Sequence, residues 1–172
     1  QPVFMQLKLD DVRCLIQCNP SKMVVAYSRT GKEWKNIDHI LNSLIPFFAE
    51  HPDVILDGEL YNHALRDDFE KIISCVRKTK PTDADRAESR KLVQFHCYDI
   101  VDETMLFEDR YKFVFNKLRD AYGVRTVVAG LCATESLSKV IHQQNLDSGY
   151  EGSILRLNTE YQCKRSHSLR KF

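Results

Sequence analysis

Hydrophobic and polar positions alternate through the first thirty residues with the period of two that a β-strand imposes. Three strands are predicted, over residues 3–9, 12–18 and 22–28, as a meander whose first two members join at Asp10-Asp11. In the first strand Met5, Leu7 and Leu9 share one face and Gln6, Lys8 and Asp10 the other. The period then lengthens. Ile37, Ile40, Leu41, Leu44, Ile45 and Phe48 recur at helical spacing and predict an amphipathic helix over 36–48, kinked near its end by Pro46. Strands are predicted at 54–61, 92–101, 126–129 and 152–158, and helices at 67–76, 108–122 and 134–145. Gly123 stops the second of these helices and Thr134 caps the third. The stretch 78–90 is almost devoid of apolar residues and reads as a solvated loop or a polar helix. Strand clusters separated by helices predict an α+β fold with mainly antiparallel sheets.

Composition changes this picture little. The chain has 172 residues, 43 % hydrophobic and 28 % charged, an ordinary balance for one domain with its own core. A formal net charge of +1 supplies no global basic field, so any contact with nucleic acid needs a local patch. No run is long and apolar enough to cross a bilayer. The six cysteines include no C-x-x-C pair and mostly lie among apolar residues, which predicts reduced core thiols in an intracellular protein. The histidines form no ligand cluster.

Candidate chemistry sits at five places. Lys8 lies on the polar side of a strand just before a turn, where a lysine is held more rigidly than on an open surface. Ser28-Arg29 ends the third strand, and Arg29 is either a phosphate fork or an ordinary exposed arginine at a turn, the latter being the commoner case. Asp57 and Glu59 share a strand face with Ile55 and Tyr61, a costly position for two carboxylates unless each meets a cation or a donor. Gly58 between them permits close approach of a backbone or ligand. Tyr98, within an apolar strand, is either core or a platform for a base. Finally Glu151-Gly152 opens a strand that carries Arg156 and precedes the basic run Lys164, Arg165 and Lys171. A carboxylate followed by arginine and lysines suits a polyphosphate with a divalent cation.

Taken in order, these segments resemble the nucleotidyltransferase domain of ATP-dependent DNA ligases, a superfamily shared with RNA ligases and mRNA-capping guanylyltransferases. The family's first motif, Lys-x-Asp-Gly-x-Arg, corresponds to Lys8-Leu9-Asp10-Asp11-Val12-Arg13. Its Ser-Arg element corresponds to Ser28-Arg29, its Asp-Gly-Glu-Leu motif to residues 57–60, and its aromatic-Asp motif to Tyr98-Asp99. Its Glu-Gly motif corresponds to Glu151-Gly152, and the approach to its last lysine motif to Lys164-Arg165-Ser166 and Lys171. The glutamate that opens the fourth motif favours a ligase over a capping enzyme, which usually carries aspartate there.

The resemblance implies two mainly antiparallel sheets flanked by helices around a nucleotide cleft. It implies a DNA ligase adenylation domain over residues 1–172, truncated before an OB-fold domain. Lys8 would attack the α-phosphate of ATP and carry AMP, with Arg13 and Lys171 as catalytic partners. Gln6 would face the adenine edge and Tyr98 would stack on the ring. Arg13, Arg29 and Lys171 would meet phosphates. Glu59 would contact the ribose or a metal, and Glu151 would hold Mg²⁺. Crowding by Arg13, Lys171 and the metal would lower the pKa of Lys8. The implied partners are ATP and nicked duplex DNA, with no membrane, for a monomer that is cytoplasmic in a phage, virus or bacterium and nuclear in a eukaryote. Two alternatives remain: an RNA ligase or capping guanylyltransferase, and a non-catalytic nucleotide-binding module. Two departures stand out. Asp11 replaces the family's glycine, at a turn position expected to take φ > 0, and the second lysine of the last motif is absent.

Overall fold

A computed structural model describes residues 3–10 and 12–162 and the backbone of 169–171. Among these residues nine strands form two sheets. One sheet contains β1 (Val3–Leu7), β7 (Gly130–Cys132), β8 (Ser153–Leu157) and β9 (Leu169–Lys171), in the order β7-β1-β8-β9. The other contains β2 (Val12–Cys18), β3 (Val24–Tyr27), β4 (Leu56–Tyr61), β5 (Gln94–Ile100) and β6 (Val124–Thr126), in the order β3-β2-β4-β5-β6. Every pairing is antiparallel except that of β5 with β6. This is the two-sheet α+β architecture expected.

The predicted meander needs correction. β1 pairs with β7 and β8, whereas β2 pairs with β3 and β4. The chain therefore changes sheets between Leu7 and Val12, and Asp10 lies on a crossover rather than in a hairpin turn. Alternation marks a strand but does not name its partner. The φ > 0 expected of Asp11 falls outside the described residues. The polar face of β1 is also corrected: Gln6 is 2 % exposed, because β1 is an inner strand facing the second sheet.

The helix expected at 36–48 is two helices, α1 (Asp38–Ser43) and α2 (Ile45–Glu50), broken at Leu44. In a continuous helix Pro46 would clash with the carbonyl of Asn42 and donate nothing to it. In the first turn of α2 its missing N–H costs nothing. The polar stretch contains α4 (Asp83–Leu92), started by a capping box in which Thr82 and Asp85 satisfy each other's backbone N–H. Between them lies α3 (Glu70–Val76). α5 (Phe107–Lys117) stops before Gly123, and α6 (Glu135–Asp147) starts where Thr134 accepts a hydrogen bond from the Leu137 N–H. The three-residue β7 is too short for periodicity to reveal.

The helices α1 to α5 contribute Ile40, Leu44, Ile72, Val76 and Leu118 or their neighbours to one core with Ile16, Leu56, Leu60 and Phe95 of the five-stranded sheet. Gly58 sits in that sheet so tightly that a Cβ would come 2.2 Å from the His96 carbonyl oxygen. The close approach foreseen there is to backbone. Next to it the pairing of β4 and β5 slips: Asp57 faces Asp99, while Gly58 faces Cys97. Tyr98 is the extra residue of a β-bulge. The bulge lets Tyr98 and Asp99 both turn away from the core, while Cys97 and Ile100 stay in it. The five described cysteines are free thiols, four of them buried; Cys163 lies outside the described residues.

Candidate active site

Lys8 follows β1 directly, and its N–H donates to the Gly152 carbonyl at 3.1 Å, extending the β1–β8 ladder by one rung. That rung fixes the lysine beside Glu151. Its amine lies 2.5 Å from Asp10 Oδ2 and 3.8 Å from Glu151 Oε2. The hydrogen bond that Lys8 donates to Asp10 raises the Lys8 pKa above its ordinary value, with Glu151 adding to the effect. The depression expected from Arg13, Lys171 and a bound metal involves a Lys171 side chain outside the described residues. Among the described residues the charged neighbours of the Lys8 amine are carboxylates, while Arg13 is engaged with Asp57. Burial and the adjacent Asp10 carboxyl in turn raise the Glu151 pKa. The three residues open onto a cavity of about 280 Å³, whose other walls come from Tyr61, Arg66, Asp67, Gly149 and Tyr150.

Gln6 and Tyr98 meet across the two sheets. The Gln6 amide nitrogen donates to the carbonyls of Tyr98 at 3.2 Å and Val127 at 3.1 Å. The amide oxygen is buried with no partner among the described residues. Two carbonyl acceptors require the NH₂ end, so this orientation is dictated by chemistry. The Tyr98 hydroxyl donates to Glu59 Oε1 at 3.3 Å, and the Arg156 guanidinium lies 5.5 Å from the Tyr98 ring centre. Burial pushes the Glu59 carboxyl up to about 8, against the lowering effect of the Tyr98 hydroxyl. Glu59 is thus largely protonated near neutrality. Tyr98 is half-buried and does not line the cavity beside Lys8.

Arg13 forms a fork on Asp57, Nε to Oδ1 at 3.1 Å and Nη2 to Oδ2 at 2.9 Å. Tyr161 donates to the same carboxylate at 2.7 Å. The cation that Asp57 required is therefore the arginine of the first motif. Asp99 is held by Arg110, through Nε at 2.7 Å, and by Arg156, through Nη1 at 2.9 Å. Arg29 is exposed at the turn after β3, away from the cavity. The backbone of Lys171 pairs with Ile154, close in register to Lys8; its side chain and Lys164 to Ser166 lie outside the described residues.

The structure therefore brings Lys8 and Glu151 together, adds Asp10, and joins Gln6, Glu59 and Tyr98 in an adjacent polar layer. Glu59 and Glu151 are not gathered into one ligand cluster: among the described residues no three metal-binding side chains converge. Sequence reasoning missed Tyr161, Arg110 and Arg66. Arg110 carries no visible signal, since an arginine at a predicted helix start reads as surface. The demand of a buried carboxylate for a cation was the usable clue for Asp57.

Against known proteins, the family described as "ATP dependent DNA ligase domain" matches residues 1–172. No curated protein sequence matches significantly. Solved structures do. The ATP-dependent DNA ligase of bacteriophage T7 in complex with ATP superposes with a TM-score of 0.77 at 16 % identity, over 99 % of this chain and 61 % of that one. Chlorella virus DNA ligase-adenylate gives 0.74 at 19 % identity, over 99 % and 60 %. An archaeal ATP-dependent RNA ligase gives 0.66 at 21 % identity, over 99 % and 42 %. At such identities the likeness establishes the fold. The chain spans 42 to 61 % of the length of these proteins.

Proposed function

We propose, from the premise that the chain belongs to the ATP-dependent DNA ligase domain family, that Lys8 takes AMP from ATP in the first step of nick sealing. The observation that carries this is the amine of Lys8, pinned by the Gly152 rung at the mouth of a cavity, in contact with Asp10 and near Glu151. The nitrogen attacks the α-phosphorus, a P–N bond forms, and the bond to the β-phosphate oxygen breaks as pyrophosphate leaves. The amine must first lose a proton. Asp10, in hydrogen-bond contact, is the nearest acceptor. The contact with Asp10 favours the protonated amine, so a bound substrate or cation must loosen it before attack.

Asp10 and Glu151 fit a divalent cation, since two neighbouring carboxylates repel one another until a cation joins them. Mg²⁺ held by Glu151 with Asp10 would neutralise their charge and that of the phosphates, easing loss of the Lys8 proton. Glu59, protonated and tied to Tyr98, suits the ribose better than the metal. The unpartnered Gln6 oxygen can accept from the exocyclic amine of adenine and would oppose the carbonyl of guanine. Arg13, Arg29 and Lys171 are assigned to phosphates, Arg13 by exchanging part of its fork on Asp57. In the full-length enzyme AMP would pass to a 5′-phosphate of nicked duplex DNA, and a 3′-hydroxyl would then displace it.

Intact mass after incubation with ATP and Mg²⁺ tests the reading. An adduct of one AMP is expected on the peptide containing Lys8, absent in Lys8→Ala and weak with GTP in place of ATP's nucleoside. An adduct on another lysine would overturn it.

A further inference from the structure

Part of the lining of the cavity shared with Lys8 has no role in the reaction described above. Arg66 stands at the end of a single 3₁₀ turn, His63–Leu65, and lines the cavity. Its Nη1 donates to the His63 carbonyl at 3.0 Å. It enters no ion pair with the described residues, so most of the guanidinium's N–H groups remain uncommitted among them. His63 itself is locked. Its Nε2 lies 2.7 Å from the Ser148 carbonyl, which can only accept, so Nε2 carries the proton. In the neutral ring Nδ1 then accepts from the Tyr61 hydroxyl at 2.6 Å. The ring stacks on Tyr150, centroids 3.9 Å apart and 13° from parallel.

These contacts tie the segment carrying Arg66 to the loop that delivers Glu151. Gly149 in that loop has φ +88°, and a Cβ there would lie 2.6 Å from Arg66 Nε and 3.0 Å from its Cδ. The positive φ is that of a glycine ending α6, whose carbonyls at Leu146 and Asn145 accept from the N–H groups of Gly149 and Tyr150. Asp10 and Glu151 are in contact with Lys8, which leaves Arg66 as the other cation among the lining residues.

We propose that Arg66 is a phosphate-binding residue, whose open guanidinium edge receives a phosphoryl group entering the cavity and holds it facing Lys8. A planar fork suits two oxygens of one phosphate. The inference rests on the adenylation reading for the identity of its ligand, and two phosphates meet the chemistry: the pyrophosphate portion of ATP, or the 5′-phosphate of a nicked duplex.

Titration of the chain with inorganic pyrophosphate, with a nicked duplex bearing a 5′-phosphate, and with the same duplex bearing a 5′-hydroxyl separates these. Arg66→Ala should weaken one phosphate probe by about 10- to 100-fold, the worth of a charged hydrogen bond or two. Arg66→Lys should recover part of it. Loss confined to pyrophosphate assigns the ATP phosphates; loss confined to the 5′-phosphorylated duplex assigns the acceptor; loss of both, with the 5′-hydroxyl duplex unchanged, assigns a shared position. Unchanged affinities, equal weakening of the 5′-hydroxyl duplex, or a wild-type chain that binds neither phosphate probe overturn the proposal. The mass of the Lys8 adduct, read on the same variants, reports separately whether the adenylation reading stands.

Discussion

Two sets of carboxylates and cations lie close together in this molecule and behave in opposite ways. Asp99 is 1 % exposed, with two guanidinium groups on its oxygens and the N–H of Ile100 on one of them. Asp57 is likewise buried but lies between the two cases, because its partner Arg13 is 36 % exposed and can yield part of the fork to a ligand while Tyr161 stays. Asp10 and Glu151, by contrast, have side chains 44 % and 63 % exposed and face one lysine at the mouth of a cavity. A saturated, dry pair is a fastener, because neither partner can leave without stranding a buried charge. An open, wet pair can be reorganised by an arriving ligand at little cost. The same side chains make scaffold or site according to burial and satisfaction.

The sharpest way to break the comparison is Asp99→Ala. It strands Arg110 and Arg156, and breaking a buried pair from one side costs about 3–5 kcal/mol. A drop in melting temperature of roughly 10 °C is expected for a chain of this size. A drop no larger than that of Lys8→Ala, which should be small, would show that Asp99 is not a fastener.

Tyr98→Ala comes next, on the boundary between the two sets. If the ring carries adenine, ATP affinity should fall by about 1–3 kcal/mol in calorimetry. Tyr98→Phe should cost less, since it removes only the hydroxyl contact with Glu59. Equal affinity of Tyr98→Ala and wild type would assign the ring to packing alone.

Glu59 gives a smaller, pH-dependent effect. Its folded pKa is raised, so its contribution to stability is complete below the ordinary value of 4.5 and is lost as pH rises through about 8. Glu59→Gln stays neutral and should escape this loss. Its melting temperature should therefore hold better than that of wild type across this window, by up to about 1.4 kcal/mol per pH unit. Parallel melting curves of the two proteins against pH would refute the buried, neutral carboxyl.

The smallest structural change is expected from Asp10→Asn. It should leave folding almost untouched and lower the Lys8 pKa by removing the contact that raises it. The pH dependence of Lys8 labelling by an amine-reactive reagent, read by peptide mass, should shift to lower pH. No shift would mean that Asp10 does not hold the ammonium.

Much of this was legible in the residues. The period-2 runs located β1, β2, β4, β5 and β8, and Thr134 marked the start of α6, because these signals are local. Lys8 and Glu151 were singled out because their short segments resemble motifs of the family, and such motifs are local too. What tertiary structure alone decided was partnership. Alternation could not say that β1 and β2 belong to different sheets, since a strand edge accepts any partner of fitting register. Nor could it show the bulge that turns Tyr98 and Asp99 to one side, or that the amide of Gln6 would spend its donors on two carbonyls and keep its oxygen unpartnered. The direction of the Lys8 pKa followed the same rule. Sequence supplies the groups, but their distances set the sign, and here the nearest charge was the carboxylate two residues away rather than the expected arginine.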